Sequence, residues 1–369
     1  MKIKIALVIP TLDQGGAEKQ ISLLARELPK DEFDVHVIVL TRTGPREKEL
    51  REAAIPVHFI DKRGKFDPRA WLRLRSLLKQ LKPDIVHTWL FAANAYGRSA
   101  AMAAGVPVIA GSERSVDPWK ANWQLFIDRW LCKWAPRLTT NSSGVVDFYA
   151  NKGIPQSAFT LIPNAVLPSA KPAVSRVEIA ERLGVPVEKK WILSVGRLWQ
   201  QKGYKDLLWA AEMIRVARDE TCYIVVGEGP ERARLELYRD NIRAASQVFM
   251  VGERNDVSDI LPHACVLWNG SLYEGQSNVI LEALQAGVPV VASDIPGNRD
   301  LVKHAQTGML FPLGDVNSLM RTTIEILQNP QTAQQLATNG KAFVEHEHSL
   351  GKMIDGHIKL YRTWIDETR

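Results

Sequence analysis

Cysteine is scarce: the 369 residues hold three, Cys132, Cys222 and Cys265, far apart and without a C-x-x-C spacing. That argues against a disulfide framework and a cysteine zinc site, and a reducing cytoplasm fits. No apolar run approaches the roughly 18 residues of a membrane span. The opening MKIKIALVIP passes at once into TLDQGGAEKQ, so it reads as a first buried strand rather than a signal peptide. Low-complexity tracts and short repeats are also missing. There is no G-x-G-x-x-G after the first strand and no acid to hold a ribose at the end of the second, 35 to 40, which disfavours a dehydrogenase. The lack of any finger, RRM or helix-turn-helix signature disfavours a nucleic-acid binder. His346-Glu347-His348 has no third ligand nearby and reads as surface, so no metal is expected.

What is present is enough for two ordinary domains, since single cores stop growing below roughly 250 to 300 residues. With 46% hydrophobic and 24% charged residues, the composition is that of a globular protein. Strand-like runs at 3–10, 34–40, 85–88 and 106–110 alternate with helical patterns at 17–28, 68–81 and 92–104, the mark of a parallel doubly wound α/β sheet. The stretch LPSAKPAVS (167–175) interrupts the pattern. The alternation then restarts, with runs at 191–195, 222–226, 248–251, 266–269 and 288–292 between helical segments. We therefore expect a Rossmann-like domain over 1–167, a linker over 168–175, a second such domain over 176–349, and a terminal helix over 350–369. Net charge is +6, but residues 1–170 carry 24 Lys+Arg against 16 Asp+Glu and the rest 23 against 25. The basic first half suggests an anionic partner.

In open α/β sheets ligands bind beyond the carboxyl ends of the strands, and four polar loops lie there. In TLDQGGAEK (11–19), Gly15 and Gly16 let the backbone approach a ligand. In SVGRLWQQKG (194–203), Arg197 and Lys202 could converge on one diphosphate; a solvated basic loop is the bland alternative. VVGEGPER, with Gly227, resembles half of a nucleotide loop and fits a structural turn as well. In YEGQSNVILEALQAG (273–287), Ser277 or Asn278 can cap a helix whose free amides would face an anion. Glu274 lies ahead of that helix and Glu282 a turn inside it, so they suit hydroxyls at opposite ends of a ligand.

In order along the chain, GGAEKQ, KPDIVHTW, the GR…KG pair, VGEGPER, VGERNDV, EGQSNVILEALQAGVPVVASDIPG with its E-x7-E glutamates, and TGMLFPLGD together resemble the retaining GT-B glycosyltransferases of family 4. The resemblance spans nearly the whole chain. It implies two Rossmann-like domains facing a cleft, with the C-terminal helix crossing back to the first. It also implies a nucleotide-sugar donor, UDP- ahead of GDP-, on the second domain and the acceptor on the first. Arg197 and Lys202 would then hold the diphosphate, Glu282 the ribose, Glu274 the moving sugar, and Arg254 the base. Gly15, Gly16, Gly227, Gly275, Gln276, Ser277 and Asn278 would complete the donor site, with no metal or other cofactor. His87 stands where the family has an active-site histidine, but H-x-H is here His87-Thr88-Trp89, so a buried structural histidine is the alternative; Gln276 and Ser277 replace the family's usual residues, leaving the sugar open. Rival readings are a nucleotide-sugar 2-epimerase of the same architecture and a catalytically idle sugar-nucleotide-binding protein.

On the acceptor side Trp119, Trp123, Phe126, Trp130 and Trp134 recur at helical spacing, with Lys120, Arg129, Lys133 and Arg137 nearby and Asp117-Pro118 marking a helix start. Tryptophan with basic residues suits an anionic membrane surface, as does the Arg-rich 62–82 segment; a core-packing helix is the alternative for some of the aromatics. A peripheral cytoplasmic enzyme acting on a lipid-linked or lipopolysaccharide-like acceptor is the expectation.

Overall fold

The computed structural model describes residues 2–168 and 174–368. Two compact units emerge: Met1–Ala165 with Leu350–Arg369, and Val166–Ser349. Most of the linker expected over 168–175 lies outside the described residues.

The first unit is built on β1 (Ile3–Thr11), β2 (Phe33–Arg42), β3 (Val57–Phe59), β4 (Ile85–Trp89), β5 (Val108–Glu113), β6 (Arg137–Thr140) and β7 (Phe159–Leu161). All are parallel, in the order β3-β2-β1-β4-β5-β6-β7. Parallel sheets are covered on both faces, which is why β1 reads as a nearly unbroken apolar run. On one face β1, β2, β4 and β5 pack with helices Gly16–Glu27 and Leu350–Asp366; Met353, Ile354, Tyr361, Trp364 and Ile365 belong to this core. The other face packs on helices Pro68–Leu81 and Phe91–Ala104 through Ala70, Leu74, Ala93 and Ala100. The Pro68–Leu81 helix shows how local the start signal is. Asp67 accepts the Ala70 amide at 2.9 Å, proline takes the first turn, and Lys82 closes it in the left-handed region.

The second unit repeats the pattern with β8 (Lys190–Val195), β9 (Thr221–Val226), β10 (Val248–Gly252), β11 (Val266–Asn269), β12 (Val290–Ser293) and β13 (Met309–Phe311). They form a parallel sheet in the order β10-β9-β8-β11-β12-β13. Helices Arg176–Leu183 and Asn278–Gln285 join the core on one face, and Tyr204–Ala217 and Val316–Gln328 on the other. In each sheet the order reverses beside the first strand, at β1/β4 and β8/β11, leaving a crevice beyond the carboxyl ends.

The expected α/β doubly wound class is the observed one. Several boundaries shift by a residue or two, and two shift further. The fifth strand begins after Pro107 and runs on to Glu113, and the aromatic helix begins at Asn122 rather than near Asp117. Asp117 to Lys120 instead form a turn, closed by the Lys120 amide donating to the Asp117 carbonyl at 3.0 Å.

Candidate functional site

The loops leaving β8 and β11 meet at the switch point of the second sheet. Leu272 donates its amide to the Gln201 carbonyl at 2.8 Å, and Gln201 Nε2 donates to the Tyr273 carbonyl at 2.7 Å. This stitching brings Lys202 Nζ onto the Glu274 carboxylate, across 72 positions of sequence. Ser271 Oγ donates to the same carboxylate at 2.8 Å. The ion pair is partly open to water, with 23% of the Lys202 side chain and 11% of that of Glu274 exposed. Arg197, on the β8 loop, is exposed, its guanidinium 5.9 Å from the Trp199 ring centroid. Three of the sequence-derived residues thus share the ends of two adjacent strands.

Two glycines make this approach feasible. Gly203 is left-handed, φ 66°, and a Cβ there would collide with the Gly270 carbonyl oxygen; a Cβ on Gly227 would collide with that of Gly196. Gly227 therefore packs one loop on another.

Around Glu274 the loop is shaped by a buried polar network that sequence reasoning missed. Asn269 Oδ1 accepts the Ser271 amide at 3.1 Å, Ser293 Oγ donates to the Ser271 carbonyl at 2.6 Å, and Asn298 Nδ2 donates to the Ser293 carbonyl at 2.9 Å. Tyr204 was also missed. Its hydroxyl donates to the Gly196 carbonyl at 2.9 Å, and burial, with Glu274 nearby, holds its phenol well above the usual tyrosine range. The only linear signal was small polar residues at strand ends. Gln276 and Ser277 are buried. Ser277 occupies the N-cap of helix Asn278–Gln285, yet its side chain makes no cap bond and instead accepts Asn269 Nδ2 at 3.1 Å, so the expected side-chain cap is corrected. Glu282 is half-buried on the second turn of that helix, five residues in. Arg254 follows edge strand β10, two strands from β8, and binds both Asp256 carboxylate oxygens, at 2.9 and 2.6 Å. Gly275 packs its carbonyl where Gly297 has no Cβ.

In the first unit, Gly15 and Gly16 open helix Gly16–Glu27 at the end of β1, with Glu18 folded against Gly15 and accepting Thr11 Oγ1 at 3.0 Å. His87 differs from the family expectation. It is wholly buried, with Nδ1 at 2.9 Å from Tyr361 Oη and Nε2 at 2.9 Å from Thr139 Oγ1. Burial, His357 and Arg114 keep its pKa well below the usual histidine range. With both nitrogens engaged inside the core, His87 has the surroundings of a buried structural histidine, the alternative to the catalytic role.

Lys120 is likewise corrected. Its side chain is fully buried, with Nζ 2.9 Å from Asp128, 3.3 Å from Glu113, 3.6 Å from Asp117 and 2.6 Å from Tyr149 Oη. It cannot face a membrane or an acceptor. Burial would lower its pKa, but the three carboxylates raise it. Burial in turn pushes Asp117 and Asp128 each up to about 6. The aromatics resolve the other way. Trp119, Trp123, Phe126, Trp130 and Trp134 are 58%, 60%, 62%, 45% and 62% exposed, so the core-packing alternative fails for all five. Helix Asn122–Trp134 buries Leu125, Asp128 and Cys132 and turns Trp123, Phe126, Trp130 and Trp134 outward on the opposite face; Arg129 and Lys133 are exposed. His346 is exposed as expected, but His348 is buried, its ring 5.5 Å from that of Phe343. Among the described residues no group of three or more His, Cys, Asp or Glu is placed to hold a metal ion, and no helix is long and apolar enough to cross a membrane.

The chain resembles known proteins along its whole length. A UDP-Gal:alpha-D-GlcNAc-diphosphoundecaprenol alpha-1,3-galactosyltransferase of Escherichia coli is 28% identical, with 98% of this chain and 97% of that protein covered. The lipopolysaccharide core biosynthesis glycosyltransferase LpsE of Rhizobium meliloti is 26% identical over 48% of this chain and 52% of its own. The crystal structure of Anabaena Alr3699/HepE in complex with UDP-glucose superposes with a TM-score of 0.88, covering 98% of this chain and 100% of that one at 19% identity, a likeness of fold. Residues 14–169 match the model of Glycosyltransferase Family 4 and residues 175–343 that of Glycosyl transferases group 1, and the chain belongs to this family of GT-B glycosyltransferases.

Proposed function

We propose that the protein transfers a sugar from a UDP-sugar to a hydroxyl of a glycan or lipid-linked glycan in cell-surface polysaccharide or lipopolysaccharide synthesis, with retention at the anomeric carbon and without a metal. The observation that carries the reading is the Lys202–Glu274 pair at the β8/β11 switch point, beside Arg197. The cations neutralise the departing diphosphate, and the amides opening helix Asn278–Gln285 add to them. Glu274 takes hydroxyls of the moving sugar, Glu282 those of the ribose, and Arg254 lies on the base side. The bond from the anomeric carbon to the donor phosphate breaks as the bond to the acceptor oxygen forms on the same face, and the acceptor proton passes to the leaving phosphate. The E. coli relative, named for a UDP-Gal donor and a diphosphoundecaprenol acceptor, supports both substrate classes.

The acceptor is taken by the first unit. The exposed face of Trp123, Phe126, Trp130 and Trp134 with Arg129 and Lys133 favours peripheral contact with the anionic inner face of the cytoplasmic membrane. A thermal-shift screen of UDP-, GDP- and ADP-sugars tests the donor. Stabilisation by UDP-sugars, lost in Lys202→Ala together with at least tenfold of transfer, is expected; near-normal transfer by that variant refutes the site. NMR of the product's anomeric centre, and rates with and without a chelator, test retention and metal independence.

A further inference from the structure

Arg114, just past β5 in the first unit, is 8% exposed, and among the described residues no carboxylate forms an ion pair with it. Its Nη2 donates to Asn164 Oδ1, and its guanidinium lies 4.5 Å from the Trp89 ring centroid. Its Nε and Nη1 have no hydrogen-bond partner among the described residues. Glu113, next along the chain, is committed elsewhere: its Oε1 accepts Asn94 Nδ2 at 2.8 Å, and its Oε2 faces Lys120 and Tyr149. Around Arg114, at the carboxyl ends of β4, β5 and β6, further buried polar atoms lack partners among the described residues: Trp89 Nε1, Ser112 Oγ and Asn141 Oδ1. Buried polar groups are nearly always satisfied, and a buried charge without its counter-ion is costly. Burial, and to a lesser degree the Arg114 charge, depresses the pKa of both His87 and His357, and burial pushes that of Arg114 itself down to about 9, leaving it charged at neutral pH.

We propose that Arg114 anchors an anion-binding subsite at the carboxyl ends of β4 to β6, which takes a phosphate or diphosphate group of the acceptor. A guanidinium with two unused donor nitrogens matches paired phosphate oxygens, and cationic stacking on Trp89 holds its plane. The Ser112 hydroxyl and Trp89 indole N–H are of the right sign to add donors, and Asn164 fixes the fork from the other side. Assignment of the anion to an acceptor rests on the transferase reading; anion binding itself does not.

The test is calorimetric titration, without donor sugar, of the full chain carrying Arg197→Ala and Lys202→Ala, so that the proposed donor site does not contribute. Inorganic pyrophosphate and geranyl diphosphate are the probes. Adding Arg114→Gln is expected to weaken both at least tenfold. Adding Asn164→Asp, which supplies an internal carboxylate without removing bulk, is expected to do the same while raising the melting temperature, and keeps the test decisive where the glutamine variant does not fold. Parental affinity in either folded variant overturns the subsite. Tighter binding of geranyl diphosphate than of pyrophosphate supports an acceptor phosphate, whereas equal affinity assigns the site to the free ion and overturns the acceptor assignment. Because no turnover is measured, failure of the transferase reading shows separately, as the absence of any nucleotide-sugar stabilisation in the unsubstituted chain.

Discussion

Replacing Glu274 by Gln separates two roles that the ion pair with Lys202 ties together. The carboxylate holds the ammonium and also accepts Ser271 Oγ at 2.8 Å, both at Oε1; a glutamine oxygen can still accept both hydrogen bonds but no longer attracts the ammonium by charge. A diphosphate approaching Lys202 must draw the ammonium from Glu274 and then sit beside a carboxylate. With both side chains partly exposed, the pair is screened and is worth about 1 kcal/mol. Relief of the competition and of the repulsion together gives roughly 1 to 1.4 kcal/mol, or five- to tenfold tighter UDP binding. Transfer moves in the opposite direction, falling at least tenfold, because the charged acceptor of the sugar's hydroxyls is lost. Titration calorimetry with UDP and initial transfer rates on the same preparation measure both. A variant that binds UDP no more tightly than the parent refutes the competition, and one that keeps its turnover refutes the sugar contact.

Other perturbations test neighbouring parts. Asp117, raised from 3.8 to about 6 by burial, binds its proton more tightly folded than unfolded. Its contribution to stability is therefore present below about pH 4 and lost as pH rises through about 6, an effect of up to about 3 kcal/mol. Asp117→Asn should thus gain stability relative to the parent between pH 5 and pH 7.5 in denaturant titrations, and a pH-independent difference counts against the buried cluster. Gly203→Ala places a side chain on the Gly270 carbonyl at positive φ, which should cost about 1 kcal/mol or more and abolish UDP stabilisation in thermal shift; unchanged UDP binding would show that the loop contact is dispensable. Replacing Trp123, Trp130 and Trp134 together by Ser should release the protein from anionic liposomes in cosedimentation with its melting temperature nearly kept, and retained binding would place the membrane contact elsewhere.

The strands and long helices were legible because their signals are local. The apolar run of β1 and the helical periods of Pro68–Leu81 and Leu350–Asp366 each lie within 9 to 17 residues. Short edge strands such as β3, β7 and β13, three residues each, carry too little pattern to stand out. At the site, Arg197, Lys202 and Glu274 could be named from residue type and strand-end position. Their pairing could not, because positions 202 and 274 meet only where β8 and β11 become neighbours.

What the sequence determined by itself was therefore periodic or motif-borne: two doubly wound α/β units, the aromatic stripe of residues 123–134, and the glutamates flanking a helix start. Tertiary structure alone decided the environment of each side chain. Lys120 and the five aromatics come from one 16-residue stretch, yet Lys120 is drawn beneath the helix by Glu113, Asp128 and Tyr149 while the aromatics remain outside. His87 and Arg114 are both buried polar residues of the first unit, the first with both nitrogens engaged and the second with two left without partners among the described residues. Burial and hydrogen-bond satisfaction depend on partners far away in the chain, so residue type and spacing cannot distinguish an inert buried group from one still able to bind.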